Sequence, residues 1–134
     1  MKNLLISCLI MIVVGCVEVS GIGENDIKLI ENIPVTANTP NAFSYVVRAN
    51  AFSQQINSSL SFDTATFITA VVVGAYAQGT LSLTVYNEDS TKSYNQTITS
   101  NMIFLDFPTF HATALELKLQ EFSGSVDLVV TVGD

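Results

Sequence analysis

Tryptophan is absent from this 134-residue chain, histidine occurs once, and lysine and arginine together number five. Against twelve acids they leave a net charge of −7. So few cations cannot form the Lys/Arg patch that supplies most nucleic-acid affinity, which excludes a nucleic-acid partner. A polybasic hold on anionic lipid is excluded on the same ground. The lone histidine, His111, leaves little for catalysis, because a hydrolase centre needs it beside a nucleophile and a carboxylate. A zinc-type site would need further nitrogen or sulfur ligands beside it. Asp106 lies five residues earlier, across Phe107, Pro108, Thr109 and Phe110, and His111 is read as a surface loop residue. No enzymatic activity, metal or cofactor is expected.

Cysteine is nearly as scarce. Cys8 and Cys16 are the two in the chain, so everything after residue 16 must fold without a disulfide. Disorder is not expected, because an apolar fraction of 49% offers enough surface to offset the entropy of ordering.

What the chain has in abundance at its start is aliphatic side chains. Met1, Lys2 and Asn3 precede Leu4, Leu5, Ile6, Ser7, Cys8, Leu9, Ile10, Met11, Ile12, Val13 and Val14. A short positive start followed by an apolar run and a small residue has the anatomy of a secretory signal. The run is too short for a bilayer core of about 30 Å, which takes roughly 20 helical residues. Val13-Val14-Gly15-Cys16 resembles the lipobox of bacterial lipoproteins. The resemblance implies cleavage before Cys16 and acylation of Cys16, and it covers the first sixteen residues alone. A chain beginning at Cys16 would keep Lys28, Arg48, Lys92 and Lys118 against the same twelve acids, a net charge of −8. The expected location is the cell envelope, on the extracytoplasmic side, with the membrane reached through the lipid.

Three regions follow: a signal peptide over 1–15, a lipidated cysteine with a tether over 16–32, and a domain over 33–134. Gly21, Gly23 and their polar neighbours suit the tether. Residues 27–33 are expected to form a first edge strand. Pro34 and Pro40 then interrupt, since neither offers an N–H to a central ladder.

From there the apolar period is two. Residues 43–49 and 56–62 read as strands. Residues 67–76 are apolar on both faces, which predicts a central strand covered on both sides. Leu81, Leu83 and Val85 alternate with Ser82, Thr84 and Tyr86, and a turn at 87–90 leads to a partner strand over 92–99. Leu115, Leu117 and Leu119 alternate with Glu116, Lys118 and Gln120. A turn at 121–124 precedes the last strand, over 126–132. The spacing predicts an all-β fold, an antiparallel β-sandwich or jelly roll of about seven to eight strands.

Such a fold hosts many activities, so function must come from sites. A carbohydrate site would use aromatic platforms beside polar groups, and Tyr86, Tyr94, Asn95 and Gln96 flank one hairpin. Tyrosine is also a normal half-buried strand residue, and core or surface-strand packing is the favoured reading. The oxygens of Asn87, Glu88, Asp89 and Ser90 fall short of the six to eight that calcium takes, and read as a solvated turn. The apolar stretch 101–110 is expected as a loop that fills the domain end or presents a patch to a partner. Asn57-Ser58-Ser59 and Asn95-Gln96-Thr97 match the N-glycosylation pattern, a coincidence under a bacterial reading. The leading expectation is a lipid-anchored binding or assembly protein, whose partner is an envelope protein or a polysaccharide. The alternative is a carbohydrate- or small-ligand-binding module.

Overall fold

The computed structural model describes residues 30–133; the expected signal peptide, Cys16 and most of the tether lie outside them. Among the described residues every regular element is a strand: β1 (Val35–Thr39), β2 (Ala42–Ser59), β3 (Phe67–Tyr86), β4 (Ser93–Ile98), β5 (Met102–Asp106) and β6 (Ala114–Val132). They form one antiparallel sheet in the order β1-β2-β6-β3-β4, with β5 also on β3.

Among the described residues six strands stand where seven to eight were expected, because predicted strands fuse in pairs. Residues 43–49 and 56–59 belong to the 18-residue β2, and residues 67–76 and 81–86 to the 20-residue β3. Residues 115–119 and 126–132 both lie in β6, and the expected turn at 121–124 is an irregularity inside that strand. Of the edge strand expected over 27–33, residues 27–29 lie outside the described residues and 30–33 are turn and coil, so the first described strand is β1. It runs between Pro34 and Pro40 at the sheet edge, where a missing N–H does no harm. Residues 101–110 contain β5 and are no simple loop.

Each long strand loses register over one short stretch in which two shifts fall together, β2 over 49–54, β3 over 74–80 and β6 over 119–125. At each break a non-glycine residue adopts a positive φ: Ala51 at 48°, Ala75 at 49° and Glu121 at 46°. Bulges of this kind bend a strand and sharpen its twist. The ladder N–H groups they free are caught by side chains. Ser123 Oγ accepts from the Ala51 N–H at 2.8 Å, and Ser53 Oγ accepts from the Glu121 N–H at 2.8 Å. Asn101 Oδ1 accepts from the Tyr76 N–H at 2.8 Å.

The bends divide the sheet into two segments. The first has five strands across, β1-β2-β6-β3-β5, and the second four, β2-β6-β3-β4. One apolar cluster draws on both: Phe43, Tyr45, Val71 and Leu128 from the first, Leu83, Leu117 and Ile98 from the second. The Tyr45 hydroxyl donates to Gln54 Oε1 at 2.9 Å, from the first segment of β2 to the second. The Phe67 ring meets Tyr94 edge-on, with centroids 6.1 Å apart, from β3 to β4. Asn38 Nδ2 of β1 donates to Ser58 Oγ at 2.9 Å.

Candidate functional site

Alternation along each strand gives the sheet two faces, and paired residues on neighbouring strands share a face. On the second segment the outer face is polar throughout its middle. Asn57, Glu116, Thr84 and Asn95 form one transverse row; Gln55, Lys118, Ser82 and Thr97 form the next. These side chains keep the second segment wettable.

The outer face of the first segment has the opposite character. Val35, Val46, Asp127, Val72 and Ile103 pair in succession across all five strands. The adjacent row is Ala37, Ser44, Val129, Ala70 and Leu105. Ile103 is 80% exposed, Val35 67% and Leu105 58%, while Val46, Val72 and Val129 are each 40% exposed or more. Phe107, 60% exposed, extends the apolar margin beyond β5. Isolated surface valines are ordinary; here exposed apolar side chains stand side by side on neighbouring strands. The expectation that residues 67–76 are covered on both sides therefore fails on one side. Phe67, Thr69, Val71 and Val73 face the core, and Val72 faces outward. In β5 the same division holds: Met102 and Phe104 pack on the core while Ile103 and Leu105 point away.

A groove of about 710 Å³ lies along the bend, lined from β2 by Ser53, Gln54 and Gln55, from β3 by Gly79 and Thr80, and from β6 by residues 118–121. Its polar side chains are glutamine amides, the hydroxyls of Ser53 and Thr80, and the charged Lys118 and Glu121. Gly79, at φ 85°, closes one wall; a Cβ there would come within 2.5 Å of the Gln120 carbonyl oxygen. The groove draws on three distant parts of the sequence, and sequence reasoning did not find it.

The four residues expected at a carbohydrate site fall on different faces. Tyr86 and Asn95 look outward with Thr84, whereas Tyr94 pairs with Val85 and Gln96 with Leu83, on the core side. The Tyr94 hydroxyl is buried without a hydrogen-bond partner, and burial, with the Asp106 carboxylate nearby, pushes its pKa up to about 12. Tyr86 borders a separate depression of about 230 Å³ that includes Asn57, Ser59 and Glu116.

The hairpin at 87–90 spends its oxygens on itself. Asn87 Oδ1 accepts the Lys92 N–H at 2.9 Å, and Asp89 Oδ1 accepts both the Thr91 N–H at 3.1 Å and its hydroxyl at 2.7 Å. Those Thr91 bonds hold the Asp89 carboxyl below its usual pKa. His111 is exposed and shares a shallow depression with Asn87, Glu88 and Asp89. Among the described residues no three His, Cys, Asp or Glu side chains come together as metal ligands would.

Neither a family model nor a curated protein sequence matches the chain. Among solved structures it is similar to the enzymatically active domain of bacteriophage CBA120 tailspike protein 4, at 12% identity and a TM-score of 0.40, over 74% of this chain and 17% of that one. It is also similar to BiXyn10A CBM1, at 6% identity and a TM-score of 0.38, over 77% of this chain and 99% of that one. A third likeness is to Peruvianin-I, a cysteine peptidase from Thevetia peruviana latex, at 11% identity and a TM-score of 0.35, over 73% and 58% of the two chains. Likenesses this distant carry no argument about function.

Proposed function

We propose that the chain is a lipid-anchored cell-envelope protein whose domain, a β-sandwich made by doubling one bent sheet, binds or assembles without catalysis through the outer face of its first segment. The observation that carries this reading is the contrast between the two outer faces. One presents Val46, Val72, Val129, Ile103 and Leu105 in neighbouring rows; the other presents amides, hydroxyls, Glu116 and Lys118. Exposing such a face to water permanently forfeits about 25 cal/mol per Å² of apolar surface, which a partner recovers. The sandwich rests on the contacts that bridge the bend, Tyr45 to Gln54 and Phe67 to Tyr94.

A photo-cross-linking amino acid placed at Val129, and separately at Thr84, tests the reading in cells. Adducts from Val129 and none from Thr84 are expected; equal yields from the two positions would sink it. The anchor is tested apart, by intact mass of membrane-extracted protein. A chain starting at Cys16 and carrying diacylglycerol and acyl groups is expected, with both absent after Cys16→Ala. An unmodified mass removes the anchor and leaves the face untouched.

The groove at the bend favours a second reading, carbohydrate binding. Its amides, hydroxyls and Lys118 suit a sugar's ring of hydroxyls. Polysaccharide retention lost in Gln120→Ala or Lys118→Ala would support it, and retention lost in Tyr86→Ala would move the site to the hairpin end.

A further inference from the structure

We infer that the partner binds the first segment by adding a strand to it: an extended stretch of another protein, apolar at every second residue, pairs with the outer edge of β5. The inference rests on the reading of that segment's outer face as the binding surface, and it adds which backbone groups and what kind of chain meet there.

The β3–β5 ladder fixes which backbone groups are open. The Phe67 N–H donates to the Pro108 carbonyl at 3.1 Å, and the same register sets Thr69 opposite Asp106, Val71 opposite Phe104 and Val73 opposite Met102. Bonded and non-bonded pairs alternate in an antiparallel ladder, so Met102, Phe104 and Asp106 turn their N–H and C=O groups to β3. Ile103 and Leu105 turn theirs to the edge, and among the described residues β5 pairs with β3 alone. Phe107 follows the same alternation, and its N–H already donates to Asp106 Oδ1 at 2.8 Å. The donors and acceptors of Ile103 and Leu105 thus repeat along one line at about 7 Å. An extended peptide carries complementary groups at that repeat, whichever way it runs; a lipid surface does not.

The edges at β1 and β4 are guarded against such pairing. β1 lies between Pro34 and Pro40, and its Asn38 amide donates to Ser58 Oγ and to the Ser59 carbonyl, both at 2.9 Å. β4 follows Lys92, and by the same alternation its edge residues are the polar Ser93, Asn95 and Thr97. Prolines, charges and polar side chains are what keep an edge from recruiting a strand. Over Met102–Leu105 β5 has none of them. Its edge residues carry the side chains that water covers most: Ile103 is 80% exposed, the highest of any large apolar residue described, and Leu105 58%. Ile103 continues the outer row of Val72, and Leu105 that of Ala70. A strand added here sets its alternate side chains beside Ile103 and Leu105, which is why the partner is apolar at every second residue.

Photo-cross-linking amino acids at Ile103 and, in a separate variant, at Leu105 test this with the full chain in its own cells, the adducts being mapped by peptide mass. Both are expected on one stretch of one partner at sites two residues apart, the signature of paired strands. Leu105→Pro removes an edge N–H and leaves the bonds to β3 in place, so the Ile103 adduct should fall about tenfold or more, while Leu105→Val should keep it. Circular dichroism checks that both variants keep their strands. No adduct from either position, adducts with no fixed spacing, or an Ile103 adduct indifferent to Leu105→Pro overturns the inference. Adducts on residues 102–106 of a second copy overturn the choice of partner. In each of these cases Val129 adducts that persist keep the outer face as the binding surface, and their absence removes that reading as well.

Discussion

Thr69 points into the core between Phe67 and Val71, fully buried, and its hydroxyl has no hydrogen-bond partner. A polar group in that position costs its hydration and receives nothing, so Thr69→Val should stabilise the fold by about 1 kcal/mol, read as a higher urea midpoint. Gly79 has no such latitude. Its positive φ and the closeness of the Gln120 and Glu121 backbone leave no room for a methyl group, and Gly79→Ala should cost more than about 2 kcal/mol. Tyr45 and Tyr94 give the fold an alkaline limit. Burial pushes both phenols up to about 12. The unfolded phenols release their protons near pH 10, so stability from this source is complete below that value. It falls as the pH rises from 10 through 12. Urea midpoints should decline across that window in the wild type and decline less in the Tyr45→Phe, Tyr94→Phe double variant. A wild type with a flat profile would contradict the burial argument.

The long strands depend on their bends, and the bends depend on borrowed hydroxyls. Ser53→Ala and Ser123→Ala each leave a bulge N–H without its 2.8 Å partner, and each should cost about 0.5–1 kcal/mol in chemical denaturation. The same bends explain which elements were legible in the sequence. Residues 81–86 and 115–119 read correctly because apolar and polar side chains alternate there, and 126–132 because Val126, Leu128, Val130 and Val132 keep the period of two even with Val129 on the outer side. The fusion of segments into β2, β3 and β6 was not legible. Ala51, Ala75 and Glu121 take left-handed backbone without being residue types that announce it, and Ser123-Gly124 resembles a turn. β5 hid for another reason: Met102, Ile103, Phe104 and Leu105 are all apolar, so the period of two has no contrast to show itself in. The carbohydrate candidates failed to converge because residues 94 and 96 alternate with residue 95 across the sheet. The groove escaped because only the folded bends bring residues 53–55, 79–80 and 118–121 together.

At the scale of the whole molecule, the same sheet carries an apolar outer face at one end and a polar one at the other. The first signs of this were present in the sequence, in the two apolar faces of residues 67–76 and the apolar run at 101–110. An apolar side chain shows only that burial is favourable; it does not say whether the chain or a partner supplies the cover. The structure answers for the described residues, where Val72, Val129 and Ile103 have none. The measurement that bears most directly on the account is maleimide labelling of Val129→Cys and Thr84→Cys variants, read by peptide mass, in intact cells and in the denatured protein. Val129→Cys should be protected in cells and react once denatured, while Thr84→Cys should react in both. Equal labelling of the two positions in cells would show the apolar face open to water, and would contradict the claim that it is the surface through which the protein works.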